Sequence, residues 1–263
     1  MDSPAQRALL TLYRGVRRTR LLDTPAGAAL FETAYELYKA ALEAGPVGQL
    51  RRLVPPGSLV VDVGANVGFF TRRFARWVGP AGRVLALEPE PRNVARLEAR
   101  LRRENLPQIV GVIAAAATEA AGTAWLDLNP DNPADHRLGD NGIAVPTVTV
   151  DDLVGRDMGR PVSLIKIDVQ GSELRVIAGA AATIARFTPA LFVEVDDQHL
   201  RAGGASASAL VERLDTLGYA PHRLLRRGLS PALSPMECLA RVERPGQYED
   251  FVFLPRGRDG ASR

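Results

Sequence analysis

The chain has 263 residues, 46% hydrophobic and 24% charged, the composition of an ordinary soluble protein able to bury one large core. Its net charge of +3 is mildly basic, and nearly all the positive charge is arginine, because Lys39 and Lys166 are the only lysines. The lone Cys238 excludes an internal disulfide and a cysteine-built zinc site, and the lack of a signal-peptide core or a run of about 18 apolar residues predicts a cytoplasmic protein without membrane spans.

Helical periodicity runs over residues 5–20 and 28–44, broken by Pro25 and Gly27 and stopped by Gly45-Pro46. Arg14, Arg17, Arg18 and Arg20 form the densest basic cluster there. No aromatic residues interleave with them, so they read as a solvated helix face, and no nucleic-acid partner is expected. Residues 1–50 are expected to form a helical segment that covers a substrate mouth or makes an oligomer contact, with one α/β domain over 51–263. A short helix at 47–53 ends at Pro55-Pro56-Gly57.

An apolar strand at 59–63 then runs into Gly64-Ala65-Asn66-Val67-Gly68-Phe69-Phe70 and a helix over 67–78. Gly64 and Gly68 remove side chains, and Asn66 tolerates a turn conformation most residues resist. Small cofactors bind against such joints at the carboxyl edge of a parallel sheet. A dinucleotide site wants G-x-G-x-x-G, but Asn66 stands at its second glycine and obstructs close approach of a pyrophosphate. An acidic strand end followed by G-x-N-x-G suits S-adenosylmethionine, with Asp62 as partner of the ammonium group and the amides of Gly64, Ala65, Asn66, Gly68, Phe69 and Phe70 around the methionine end. The next strand, 83–88, ends in Glu88, 20 residues after Gly68, where a carboxylate can accept both ribose hydroxyls. Pro89 stiffens the turn and Pro91 starts a helix through about 105.

Further strands are predicted at 109–115, 123–128, 145–150, 162–168, 190–195, 219–226 and 249–254, and helices at 171–186 and 206–217. The alternation predicts a mostly parallel sheet with helices on both faces. The last two strands have only the loop 228–247 between them and are expected to pair antiparallel at the sheet's edge. The polar loop Asn129–Gly142 is placed to roof the substrate site, and His136 within it is a candidate general base. The strand 162–168 delivers Asp168 to the ligand crevice, with Gly171 and Ser172 available to turn and cap the following helix. Asp196 and Asp197 follow the next strand, so Asp168, Asp196 and Asp197 form a candidate oxygen-ligand set for Mg²⁺.

Taken together, Val61-Asp62-Val63-Gly64-Ala65-Asn66-Val67-Gly68-Phe69-Phe70-Thr71, Leu87-Glu88-Pro89, Thr149-Val150-Asp151-Asp152-Leu153, Ile165 through Glu173 and Phe192-Val193-Glu194-Val195 resemble the FkbM-type S-adenosylmethionine-dependent methyltransferases over about residues 50–255. The resemblance implies a class I methyltransferase fold: a Rossmann-like, seven-stranded, mostly parallel sheet with an antiparallel C-terminal edge strand, behind N-terminal helices. It implies O-methylation of a small-molecule hydroxyl on a sugar, polyketide or other secondary metabolite. Ala115 and Ala116, with Pro89, would then flank the adenine, and His136 and Asp168 would stand near the reacting hydroxyl. Asp135-His136-Arg137 is similar to a segment of that family, whose pattern also points to Glu194. The carboxylate spacing is in turn similar to that of catechol-type, cation-dependent O-methyltransferases. An NAD(P)-dependent oxidoreductase, a nucleic-acid methyltransferase and a non-catalytic binding module are the rival readings. His199 and His222 are read as structural, and a homo-oligomer is compatible with the sequence.

Overall fold

The computed structural model describes residues 46–129, 135–156, 159–244 and 246–257. The helices expected at 5–20 and 28–44 lie outside the described residues. In chain order the main sheet takes β1 (Leu59–Val63), β2 (Arg83–Leu87) and β3 (Val110–Ile113). A small sheet follows, built from β4 (Ala116–Ala117), β5 (Gly122–Asp127), β6 (Arg137–Gly139) and β7 (Ile143–Val148). The main sheet resumes with β8 (Val162–Ile167), β9 (Ala190–Asp196), β10 (Tyr219–Arg223) and β11 (Tyr248–Pro255). The helices are α1 (Thr71–Val78), α2 (Pro91–Arg103), α3 (Val150–Arg156), α4 (Glu173–Ala178), α5 (Ala181–Phe187), α6 (Asp197–Ala202), α7 (Ala207–Thr216) and α8 (Pro235–Val242). Among the described residues no helix is long and apolar enough to cross a membrane.

The seven-stranded order is β10-β11-β9-β8-β1-β2-β3. Only β11 is antiparallel to its neighbours, pairing with both β9 and β10. The last two strands therefore pair as expected, but β11 sits one place in from the edge and β10 forms the rim. Burial explains the exchange. Phe251, Val252, Phe253 and Leu254 of β11 are all buried, whereas Ala220, His222 and Arg223 of β10 are only half-buried. A continuous apolar run belongs inside a sheet covered on both faces.

Strand alternation sorts the core into two layers. Leu59, Val61 and Val63 of β1, with Ile165 and Ile167 of β8, pack against Val176, Ile184 and Leu210 from the helices on one face. Val60 and Leu164 pack on the other face with Phe70 and Phe74, and with Leu97 and Leu101 of α2. Each such aliphatic side chain contributes roughly 1.5–3 kcal/mol on full burial. The same alternation sends Asp62 and Lys166 toward the α1 face, directly opposite one another in the β1/β8 register.

The helix expected over 171–186 is two helices. Gly179 separates them because its backbone approaches Thr118: an added Cβ would lie 2.0 Å from the Thr118 carbonyl oxygen. Helix α8 lies within 228–247, the segment expected to be a loop. Its signal was present in Ser234-Pro235-Met236-Glu237, which forms a reciprocal capping box.

Candidate cofactor and acceptor site

The turn after β1 is a bare backbone cradle. Gly64, Asn66 and Gly68 all have positive φ, at 77°, 49° and 90°. Gly64 also touches the end of β8, since a Cβ there would lie 1.9 Å from the Asp168 carbonyl oxygen. The turn is wired to the end of β2 by the N–H groups of Gly64 and Ala65, which donate to the Leu87 carbonyl at 3.0 and 2.9 Å. The Asn66 N–H donates to Glu88 Oε2 at 2.8 Å, and the Asn66 side-chain oxygen accepts from Val67 N at 2.7 Å. These bonds fix the loop before any ligand arrives.

Asp62 does not face that cradle. It is wholly buried, its Oδ2 accepts from the Thr71 hydroxyl at 2.6 Å, and its Oδ1 lies 3.6 Å from Lys166 Nζ. Burial raises its carboxyl above the ordinary range, while Lys166 and the Thr71 hydroxyl act in the opposite direction. The contact with an ammonium group expected of Asp62 is therefore corrected to a bracing role, because strand alternation aims it at α1. Phe69 and Phe70 are likewise turned into the core. Phe70 packs on Phe74 and Phe192 at 5.9 and 5.6 Å between centroids, and Arg73 lies over the Phe69 ring. Lys166, which sequence reading passed over, holds the centre. Its Nζ donates to the carbonyl oxygens of Gly64 (2.8 Å) and Val63 (3.3 Å) and lies 3.3 Å from Asp168 Oδ2.

Glu88 is buried at the end of β2, accepting from Asn66 N through Oε2 and from Glu90 N through Oε1 at 3.0 Å. Burial lifts its pKa, against the pull of those donors and of the Asn93 side chain. A carboxylate has about four acceptor positions, so Glu88 keeps capacity for a ribose hydroxyl. Half-buried Pro89 follows it, and the Glu88 N–H donates to Ile113 O at the end of β3, which leads into buried Ala115 and Ala116. A cradle without side chains, a carboxylate one strand away and small buried residues beyond it fit S-adenosylmethionine.

On the other side of the cradle, Asp168 is about one-third exposed. Gln170, held at a φ of 54°, donates through Nε2 to Asp168 Oδ1 at 3.0 Å and to Glu194 Oε2 at 2.7 Å. Burial, then the charges of Asp168, Asp250, Glu173 and Asp196, raise the Glu194 carboxyl well above its usual range. Ser172 precedes α4 without a side-chain cap. The buried Glu173 carboxylate reaches back instead, accepting from Gly171 N at 3.0 and 3.1 Å.

The expected Mg²⁺ ligands are not brought together. Asp196 caps α6 by accepting from the N–H groups of Gln198 and His199 at 2.9 and 3.2 Å. Asp197 accepts from Ala207 N at 2.9 Å and from Arg201 Nε at 2.6 Å. Burial pushes the Asp197 carboxyl up, but these donors outweigh it and hold it below the ordinary value. Among the described residues no group of three or more His, Cys, Asp or Glu side chains is arranged to hold a metal ion. The set Asp168, Asp196 and Asp197 is corrected accordingly: two of its three carboxylates are committed to helix capping and ion pairing.

His136 also departs from expectation. Its Nδ1 accepts from Asn129 N at 3.1 Å, so the neutral ring carries its proton on Nε2 and has no free lone pair. Burial lowers its pKa, against the charges of Glu90, Asp135 and Asp127. In this geometry His136 is a hydrogen-bond donor, not the general base that its loop position suggested. The neighbouring Asp135 reaches the end of β9, where its Oδ1 lies 3.7 Å from His199 Nε2.

A seven-stranded sheet of this order, with a glycine cradle after β1 and a carboxylate after β2, is the class I methyltransferase architecture. The methyltransferase FkbM domain matches residues 62–221, and the chain belongs to that family. It is a methyltransferase with S-adenosylmethionine as its methyl donor, which removes the nicotinamide reading. Among curated proteins it is 28% identical over 186 residues to the 2-O-methyltransferase NoeI of Sinorhizobium fredii (strain NBRC 101917 / NGR234), covering 62% of this chain and 73% of that one. The crystal structure of the methyltransferase FkbM from Methylobacillus flagellatus KT aligns with 76% of this chain at 18% identity and a TM-score of 0.47. This chain spans less than half of that structure's length, 44%. A SAM-dependent O-methyltransferase from Thermotoga maritima aligns with 81% of this chain and 65% of its own, at 13% identity and a TM-score of 0.44.

Proposed function

We propose that this methyltransferase acts on a hydroxyl oxygen of a small polyhydroxylated acceptor of the sugar type. The observation that carries the reading is the polar wall of Asp168, Gln170 and Glu194 abutting the glycine cradle, where carboxylate and amide groups suit a ligand rich in hydroxyls. The name of the NoeI relative, a 2-O-methyltransferase, supports oxygen as the acceptor atom. Gly64, Ala65, Asn66 and Gly68 would hold the methionine end of the donor, Glu88 the ribose, and Ala115 and Ala116 the adenine. The bound donor supplies an electrophilic methyl group on a sulfonium. Asp168 would accept a hydrogen bond from the acceptor and fix its orientation, because Lys166 and Gln170 keep its carboxylate in place. The test offers trideuteromethyl-labelled S-adenosylmethionine with a panel of hexose and deoxyhexose methyl glycosides, read by mass spectrometry. Labelled methyl ethers are the expected product. Transfer to amines alone, or to no glycoside, would overturn the proposal.

A further inference from the structure

Three side chains from the ends of different elements meet beyond β9. His199, in the first turn of α6, has Nδ1 3.3 Å from Asp196 Oδ2 and Nε2 3.7 Å from Asp135 Oδ1. The three side chains are only 22%, 16% and 16% exposed. Neither contact is an aligned hydrogen bond: His199 Nδ1 and Asp135 Oδ1 are both buried without a hydrogen-bond partner among the described residues. Buried polar atoms are nearly always satisfied, so two at one junction call for an explanation.

The surroundings hold this junction in place. Asp196 uses its other oxygen to accept from the N–H of His199 itself, and the His199 carbonyl accepts from Gly203 N at 2.9 Å. That carbonyl also packs on Gly171, where a Cβ would come within 2.3 Å, so His199 is locked to the loop that begins at Asp168. Asp135 is held by Asn129 Nδ2 at 2.8 Å and lies 3.4 Å from Arg137 Nε.

We infer that His199 is the general base of methyl transfer, oriented by Asp196, with Asp135 beside the reacting hydroxyl; this rests on the O-methylation reading above. The nearer carboxylate, Asp196, favours a ring proton on Nδ1 by its charge at 3.3 Å, and that tautomer leaves the Nε2 lone pair as the acceptor. A lone pair facing the Asp135 carboxylate is unfavourable until donors reach both; the reacting alcohol O–H donates to Nε2, and a neighbouring hydroxyl of a polyhydroxylated acceptor donates to Asp135 Oδ1. The alcohol proton passes to Nε2 while the oxygen's electron pair forms the C–O bond. The methyl C–S bond breaks onto sulfur, leaving a neutral thioether and a methyl ether. The positive charge ends on the imidazolium between two carboxylates and leaves as a proton to water. A carboxylate behind a histidine serves hydrolytic triads in the same way. His136 cannot take this part, because its Nδ1 lone pair already accepts from Asn129.

The first test needs no acceptor. Nitrogen NMR of the full-length protein at about pH 8.5, two units above an ordinary imidazole, reports the tautomer of each histidine. His199 is expected to carry its proton on Nδ1 and His136 on Nε2; a neutral His199 protonated on Nε2 would overturn the assignment. The second test measures transfer to the glycoside panel by His199→Gln and His199→Ala. Turnover is expected to fall by about 100-fold or more in both, with binding of S-adenosylhomocysteine unchanged and His199→Ala partly rescued by added imidazole. A wild-type enzyme that methylates no glycoside overturns the acceptor reading and this base with it. An active wild type with an equally active glutamine variant overturns His199 alone. Lost turnover accompanied by lost cofactor binding, or not rescued by imidazole, assigns His199 a structural role and also overturns it.

Discussion

Lys166 Nζ donates to the carbonyl oxygen of Gly64 at 2.8 Å, across 102 residues of sequence, while facing Asp62 Oδ1 at 3.6 Å. One buried amine thus ties the cradle after β1 to the strand that delivers Asp168. Lys166→Met should cost about 3–5 kcal/mol in urea unfolding, because it leaves the buried Asp62 carboxylate without its opposite charge and with only the Thr71 hydroxyl as donor among the described residues. Adding Asp62→Asn should restore part of that loss, and a double variant no more stable than the single one would argue against the pairing.

Gly64 is constrained twice, by its positive φ and by the Asp168 carbonyl 1.9 Å from where a Cβ would sit. Gly64→Ala should destabilise the fold by at least ~2 kcal/mol and abolish S-adenosylhomocysteine binding. Gly79 provides the control: it also has positive φ, at 67°, but a Cβ there meets nothing within 4 Å. Gly79→Ala should carry the backbone strain alone and keep cofactor binding, measured by calorimetry.

Glu88 should be read out through affinity more than stability. Glu88→Gln keeps an oxygen for one of the two backbone donors, Asn66 N and Glu90 N, and loses bidentate acceptance. We expect S-adenosylhomocysteine affinity to fall about tenfold or more, the worth of one charged hydrogen bond. Unchanged affinity in titration calorimetry would remove Glu88 from the ribose site.

The Glu173 carboxyl gives the fold a pH dependence. Burial is the main cause that pushes it up to about 7, against an ordinary value of 4.5. Between those values the folded state holds the proton that the unfolded state has released, so stability falls as pH rises through this window. Glu173→Gln should flatten that slope by on the order of 2 kcal/mol between about pH 5 and pH 8, comparing urea titrations of variant and wild type.

Asp197 should behave as a structural acid. Asp197→Ala frees Ala207 N and Arg201, and a loss of about 1–2 kcal/mol is expected in thermal unfolding. A chelator should leave methyl transfer unchanged in wild type. Activity that disappears with chelator and returns with Mg²⁺ would show that the engagement of Asp196 and Asp197 seen here is not their working state.

The cradle and Glu88 were legible because they depend on local chemistry: glycine and asparagine at turn positions, and a carboxylate closing an apolar strand. The two-layer core was legible through strand alternation. Asp62 was misjudged because its direction depends on which face of β1 meets α1, and that needs the β8 register. The surroundings of His136 and His199 were hidden for a similar reason. A loop histidine looks accessible in sequence, yet Asn129 occupies its lone pair, while His199 gains its context only when β6 brings Asp135 to the end of β9. The inward place of β11 depends on the relative burial of two strands 29 residues apart at their starts, Tyr219 and Tyr248.

The position of β11 also sets an order of assembly. Among the described residues β10 pairs as a strand with β11 alone, and β9 has its outer neighbour only when β11 arrives. During synthesis, residues 219–223 emerge before the strand they dock on, so the newly made β10 has no template and the apolar edge at Phe192 and Val193 stays uncovered until residues 248–255 follow. Closure of this half of the sheet is thus non-local and late. A chain halted before residue 248 would expose the outer edge of β9 together with an unpaired β10, and should be captured by chaperones or aggregate rather than persist as a smaller folded enzyme.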